Sequence, residues 1–176
     1  MFPGEAPEPV GGPGAELLPR LRLEKGHAVA YRRIVVGTDG SDTATLAVRH
    51  AAELAAASGA TLTVVTGFTP DPATERARAE APEEVRWRIS DSVAADEKAG
   101  KAMRLATDIG VATVESRTAS GDPADILIDT ATDVGADVIV VGSKGMASPT
   151  RFILGSVPNK VSHHAPCDVL IVHTAD

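Results

Sequence analysis

The sequence predicts an α/β fold, a parallel sheet with helices packed on both of its faces. Two observations carry this. Val138 to Val141 is a short, unbroken run of β-branched apolar residues, which reads as a strand buried on both sides. Runs of that kind alternate along the chain with stretches whose apolar residues recur at three and four, the spacing of a helix face. Strands alternating with helices imply right-handed crossovers and a sheet covered above and below.

Length and composition set the scale. The 176 residues suffice for one domain with a substantial core and are too few for two ordinary ones. Aromatic residues make up only 3% of the chain against 43% hydrophobic residues, so Val, Leu, Ile and Ala must fill the interior. A formal charge of −7 argues against a nucleic-acid partner, because phosphate contacts need clustered Lys and Arg. Backbone amides can still hold a nucleotide, and they do not enter a charge count. Cys167 is the single cysteine; it excludes an internal disulfide framework and fits a reducing, cytoplasmic setting. No run approaches 18 apolar residues, so no membrane span is expected, and the amino terminus lacks the basic start and apolar core of a signal peptide.

The chain divides into an extension, residues 1–31, and a folded domain, residues 32–176. Pro3, Pro7, Pro9, Pro13 and Pro19 are interspersed with Gly4, Gly11, Gly12 and Gly14, a composition that cannot offset its ordering entropy and reads as a flexible tail. Leu17, Leu18, Leu21 and Leu23 leave a short helical or docked segment open. Ile34 to Gly37 is the first strand, and Ser41 or Asp42 caps a helix whose Ala47, Val48, Ala51, Leu54 and Ala55 form one apolar face up to Gly59. Thr61 to Phe68 is the second strand, followed by a loop from Pro70 to Pro82. One long helix is expected from about Glu83 to Ile109, with Val85, Ile89, Val93, Ala102, Leu105 and Ala106 facing inward and Gly110 closing it. Val111 to Thr118 is the third strand. Asp122-Pro123 opens a helix to about Val134, and Val138 to Val141 is the fourth strand. After a last helix, Val169 to His173 is the fifth.

The loop after the fourth strand carries the chemistry. Gly142 and Gly145 follow the strand at once, where the chain can turn sharply and bring bare backbone close to a ligand. After nine intervening residues, Gly155 and Ser156 begin the last helix, with Ser156 suited to the N-cap and Pro158 in the first turn. The amides of Ser156, Val157 and Asn159 are expected to be free there, with the positive end of the helix dipole behind them. That is an anion site, and the whole stretch reads as a loop that wraps phosphate.

At these residues the sequence resembles the universal stress protein family, whose nucleotide motif is Gly, two residues, Gly, nine residues, Gly-Ser/Thr. The opening Ile34-Val-Val-Gly-Thr-Asp-Gly-Ser-Asp and the closing Ala165-Pro-Cys-Asp-Val-Leu-Ile-Val-His are also similar, so the resemblance covers about Arg32 to Thr174. It implies a three-layer, Rossmann-like fold of the adenine nucleotide alpha hydrolase type, with five parallel strands in the order 3-2-1-4-5. In that order the winding reverses between strands one and four, and ligands of open α/β sheets bind at the carboxyl ends of strands at such a reversal. Thr38-Asp39 and Gly142 to Gly145 follow those two strands.

The resemblance implies an adenine nucleotide as ligand: ATP, with Mg2+ as an accompanying ion, or alternatively cyclic AMP or AMP. Leu154-Gly-Ser-Val-Pro and Asp168-Val-Leu-Ile-Val-His-Thr look like an actinobacterial branch in which cyclic AMP is bound. Asp39 would be repelled by polyphosphate and suits ribose hydroxyls, which is where the family places its counterpart; an Asx turn alone would also account for it. The adenine edge aligns near Thr66 and Gly67, where many relatives carry His-Val, and a glycine would widen the pocket. Val141 and Val157 suit the ring or sugar, or the core. Lys144 lies inside the loop, where it either neutralises a phosphate or points to solvent, and Arg151 has the same two readings.

No nucleophile, base and orienting group can be assembled, and no Walker A pattern is present. The loop Thr38 to Thr43 is superficially similar to that of the pyrophosphatase-loop family, but Asp39 stands where that loop needs a glycine. The expectation is therefore a binding protein rather than an enzyme, with slow ATP hydrolysis left open; a pure interaction module is the alternative of another class. His163 and His164 are adjacent, which is not the spacing of helical zinc ligands, and no metal site is expected. The fifth strand, taken over residues 168–174, would lie at a sheet edge, apolar on both faces and without Lys, Pro or Gly to protect it. A homodimer paired through that strand is expected, with Leu21 and Leu23 of the extension as the alternative cover.

Overall fold

The computed structural model describes residues 31–86, 90–143 and 154–174. In chain order the elements are β1 (Arg33–Gly37), α1 (Asp42–Ser58), β2 (Thr61–Phe68), α2 (Pro72–Glu80), α3 (Glu83–Arg86), α4 (Asp91–Ile109), β3 (Thr113–Ser120), α5 (Pro123–Val134), β4 (Val138–Gly142), α6 (Ser156–His164) and β5 (Asp168–Val172). The strands form one sheet in the order β3-β2-β1-β4-β5, and every pairing is parallel. Ile34 lies level with Leu62 on one side and Val138 on the other. The winding reverses between β1 and β4, as the resemblance implied.

Side chains alternate across the sheet and divide the interior into two layers. Ile34, Val36, Leu62, Val64, Val138 and Val140 meet the alanine-rich faces of α1 and α4. Val35, Val65, Ile139 and Val141 meet Leu127 and Ala131 of α5 and Val161 of α6. Alanines at positions 47, 51, 52, 55, 99, 102 and 106 take the place of bulkier groups. They let both helices lie close to a sheet whose own valines and isoleucines supply the volume.

Helix ends follow their chemistry. Ser41 caps α1 by accepting from the Ala44 amide, and Gly59 closes it at φ 67°. Asp122 caps α5 through the amides of Ala124 and Asp125, with Pro123 in the first turn. The expected helix from Glu83 to Ile109 is divided, because Ser90 is itself an N-cap, accepting from Ser92 N, and α4 starts afresh at Asp91. The expected loop from Pro70 to Pro82 contains α2, opened by Asp71 as cap and Pro72 behind it. This helix has no buried residue, so it leaves no apolar period in the sequence. It is fastened instead through Asp91, whose carboxylate accepts from Asp71 N at 2.7 Å and from the Thr74 hydroxyl at 2.9 Å. β3 begins two residues later than expected, since Val111 belongs to the turn that ends α4, with its amide bonded to the Ala106 carbonyl. β5 stops at Val172, short of His173 and Thr174. Of the amino-terminal extension, only Tyr31 is among the described residues; Leu21 and Leu23 lie outside them.

At the other end of the strands, Asp137 joins β4 to β1. Its Oδ2 accepts from the amides of Arg32 at 2.7 Å and Arg33 at 2.8 Å. These bonds, the Arg32 amide first, hold its carboxyl below the ordinary range against the opposing effect of desolvation.

Candidate functional site

The β1–α1 loop is shaped by its own short side chains. Thr38 N–H donates to the Val65 carbonyl at 2.9 Å, tying the loop to β2. The Thr38 hydroxyl accepts from Gly40 N at 3.1 Å. Asp39 Oδ1 accepts from Ser41 N at 2.9 Å and from the Ser41 hydroxyl at 2.6 Å, so the Asx turn anticipated for it is present. Gly40 has φ 80°, and a Cβ there would stand 2.9 Å from Lys98 Cγ, so both backbone and space require the glycine.

Beside it, β4 ends in Gly142, level with Val172 of β5. The next residue, Ser143, is buried and uses all of its polar groups. Its N–H donates to the Val172 carbonyl at 2.7 Å, and its C=O accepts from Gly155 N at 3.0 Å. Its Oγ accepts from Thr174 N at 3.0 Å and lies 3.3 Å from Thr174 Oγ1. Lys144, Gly145 and Arg151 lie outside the described residues. The chain returns at Leu154, and α6 starts differently from expectation. Gly155, not Ser156, is the N-cap, and it has no side chain with which to cap. Asn159 N–H already bonds the Gly155 carbonyl at 3.1 Å, so it is not free. Pro158 carries no amide, which leaves Ser156 and Val157 as the first-turn donors the helix does not use.

The remaining candidates separate by layer. Val141 is 3% exposed and belongs to the core beneath α5 and α6, with Val157 packed against the same cluster. Thr38 lines a crevice of about 290 Å³ on the opposite side of the sheet, between Thr45 and Val48 of α1 and Lys98, Lys101 and Leu105 of α4. Gly67 does not widen a pocket. A Cβ there would lie 3.2 Å from Ile126 Cδ1 and 3.3 Å from Pro123 Cα, so the missing side chain lets the first turn of α5 pack directly on β2. Its neighbour Thr66 has a buried hydroxyl with no hydrogen-bond partner among the described residues. His163 and His164 sit exposed in the last turn of α6, ring centroids 6.4 Å apart and tilted by 59°. Among the described residues, no group of three His, Cys, Asp or Glu side chains could hold a metal ion, and no helix is long and apolar enough to cross a membrane.

The structure therefore gathers Asp39, Gly142, Gly155 and the α6 amino terminus at the carboxyl ends of β1 and β4. Two residues that sequence reasoning missed join them, Ser143 and Thr174. A hydroxyl residue placed just beyond a strand end was the available hint, but only the pairing of β4 with β5 brings the two into contact.

An open parallel sheet of this order has its winding reversal between β1 and β4, the place where α/β proteins of this architecture hold their ligands. The model of the Universal stress protein family matches residues 30–173. The chain is 38% identical over 145 residues to universal stress protein Rv1636 of Mycobacterium tuberculosis (strain ATCC 25618 / H37Rv), covering 82% of this chain and 98% of that protein. A putative universal stress protein of Staphylococcus saprophyticus, SSP1056, is 35% identical over 150 residues, with 84% of this chain and 87% of that protein covered. Among solved structures, a universal stress protein in complex with cAMP aligns with a TM-score of 0.63 at 35% identity, over 83% of this chain and 99% of that one. The universal stress protein of Archaeoglobus fulgidus in complex with dAMP aligns with a TM-score of 0.58 at 28% identity, over 81% and 98%. The chain belongs to the universal stress protein family.

Proposed function

We propose that this protein binds an adenine nucleotide, ATP in the first instance, at the carboxyl ends of β1 and β4, and that occupancy rather than turnover is its output. The observation that carries this reading is Gly155. Its φ of −59° is open to any residue. A Cβ there would meet only Pro158 Cδ at 3.5 Å and the Ser143 carbonyl at 3.6 Å, ordinary contacts. The described fold does not need a glycine at this position, whereas a phosphate resting on the bare backbone ahead of the Ser156 and Val157 amides does. The orphaned Thr66 hydroxyl, at the strand end where the resemblance puts the adenine edge, supports a polar occupant near by. In this reading Gly142, Gly145, Gly155, Ser156 and Val157 present backbone to the phosphates, Lys144 neutralises the distal ones, and Asp39 meets the ribose. Thr38 and Val141 support the loop and strand from which these groups project.

Calorimetry with ATP, ADP, AMP and cyclic AMP tests it. Binding of at least one is expected, and Gly155→Val is expected to abolish it with the circular-dichroism spectrum unchanged. No binding by any of them at millimolar concentration overturns the reading. Cyclic AMP is the specific second reading, favoured by the likeness to a universal stress protein in complex with cAMP. A ligand with one phosphate has little use for Lys144, so Lys144→Ala separates the two, weakening ATP far more than cyclic AMP. Steady ATP turnover that Asp39→Ala abolishes without loss of binding would instead make the protein an enzyme.

The same reading includes a homodimer. Val172 turns its carbonyl toward β4, where it receives the Ser143 amide. Backbone groups alternate along a strand, so Val169 and Ile171 direct theirs to the open edge. Leu170 beside them is 41% exposed. A second copy adding its own β5 would satisfy both edges.

A further inference from the structure

Both ends of the segment between β4 and α6 converge on one peptide unit. Ser143 begins the segment, and its carbonyl accepts the amide of Gly155, where the segment returns, at 3.0 Å. The orientation of Ser143 is fixed from the other side by the chain beyond β5. Thr174 N–H donates to Ser143 Oγ at 3.0 Å, and the two hydroxyl oxygens are 3.3 Å apart. Ser143 is 9% exposed and Thr174 7%. Water cannot replace these bonds cheaply at such depth, and removing the Ser143 hydroxyl takes away the acceptor of the Thr174 amide.

We propose that Ser143 and Thr174 form a latch that sets the two ends of the glycine loop at the spacing a nucleotide requires, which makes Thr174 a positioning residue for that ligand. The inference rests on the nucleotide-binding reading above. Rotation of the Ser143 peptide would carry its carbonyl away from Gly155 N and move the α6 amino terminus relative to Gly142. The tail beyond β5 therefore belongs to the binding apparatus, although α6 and β5 separate it in sequence from the last residues of the motif. Binding in turn should tighten the latch, since ligand and tail stabilise one arrangement of the same peptide unit.

The experiment uses the full chain with ATP and cyclic AMP as probes. In Ser143→Ala the dissociation constant of whichever nucleotide the wild type binds is expected to rise about tenfold, as for loss of a buried bond to a backbone donor. Ser143→Thr, which keeps the hydroxyl, is expected to recover most of that loss. Exchange of the Thr174 amide, measured by NMR in the wild-type chain, is expected to slow at saturating nucleotide; this readout does not depend on any variant folding. Unchanged affinity in Ser143→Ala with a lowered Tm makes the contact merely structural and overturns the proposal, as does Thr174 exchange indifferent to ligand. A wild-type chain that binds neither nucleotide overturns this proposal and the nucleotide reading together, while binding that the latch does not influence overturns this one alone.

Discussion

Arg33 and Asp137 exchange hydrogen bonds in both directions: the Arg33 amide donates to Asp137 Oδ2 at 2.8 Å, and the Asp137 amide returns a bond to the Arg33 carbonyl at 2.9 Å. The pair sets the register of β1 against β4 at the end of the sheet opposite the candidate site. The two strands that flank the winding reversal are thus aligned from behind.

Because backbone donors hold the Asp137 carboxyl below its ordinary value, its contribution to stability is complete above the unfolded carboxylate pKa near ~3.9 and is lost as pH falls through the lower folded one. Asp122 adds in the same direction, held down first by the Asp125 amide and then by Lys160. Asp137→Asn is expected to flatten the acid limb of the stability curve below about pH 4. Asp137→Ala should cost roughly 1–3 kcal/mol at neutral pH through its lost charge-assisted bonds. Urea unfolding followed by circular dichroism across the pH range measures both. An acid limb identical to that of the wild type would count against the carboxylate's role.

Gly67 makes a sharper structural prediction than a functional one. An alanine there must displace either Ile126 Cδ1 or the Pro123 backbone, and backbone does not yield cheaply. Gly67→Ala is expected to cost roughly 1–3 kcal/mol, the usual price of overpacking. Thermal unfolding reads the change, and a Tm equal to that of the wild type would mean that α5 can lift from β2 without strain.

Ile171→Pro tests the edge. The ring removes a donor that faces away from β4 and leaves the ladder to β4 intact. Sedimentation should find the wild type dimeric at micromolar concentration and the variant monomeric or aggregated. A wild-type monomer at high micromolar concentration refutes the assembly.

The core layers carry the remaining prediction. Leu62 is wholly buried at the centre of the α1 and α4 layer. Half of the other buried residues of that layer are alanines, which have little side chain to move into a hole. Leu62→Ala is expected to cost roughly 2–5 kcal/mol, measured by denaturant midpoint. A loss below that range would show the layer to be loosely packed.

What the sequence made legible was whatever the two periodicities encode. β2 and α5 were read with their observed bounds, Thr61–Phe68 and Pro123–Val134, because each combines a buried run or stripe with clear punctuation at its ends. α2 was not read, since a helix with nothing buried has no period to detect. Its Asp71-Pro72 start was nonetheless the same cap that announced α5 at Asp122-Pro123. The motif glycines and Asp39 were legible as residue types at a spacing. Gly67 was misjudged because only the third dimension reveals what occupies the space a missing side chain leaves. Ser143 and Thr174 were missed for a related reason: they lie 31 positions apart and become partners through a strand pairing that no local pattern records.

The tethering of α2 has a practical consequence. Among the described residues the helix contributes no side chain to either layer of the core, and the carboxylate of Asp91 holds it at its amino-terminal end. It can peel away while the sheet stays folded, so its opening free energy is only a small part of the global one. Arg76 and Arg78 lie within it, and limited trypsin digestion of the native protein is expected to cut there, leaving two fragments that remain associated. The stretch from β2 to α4 is therefore a natural port for engineering, where a fluorophore, an epitope or a whole reporter domain can be spliced in with the scaffold undisturbed.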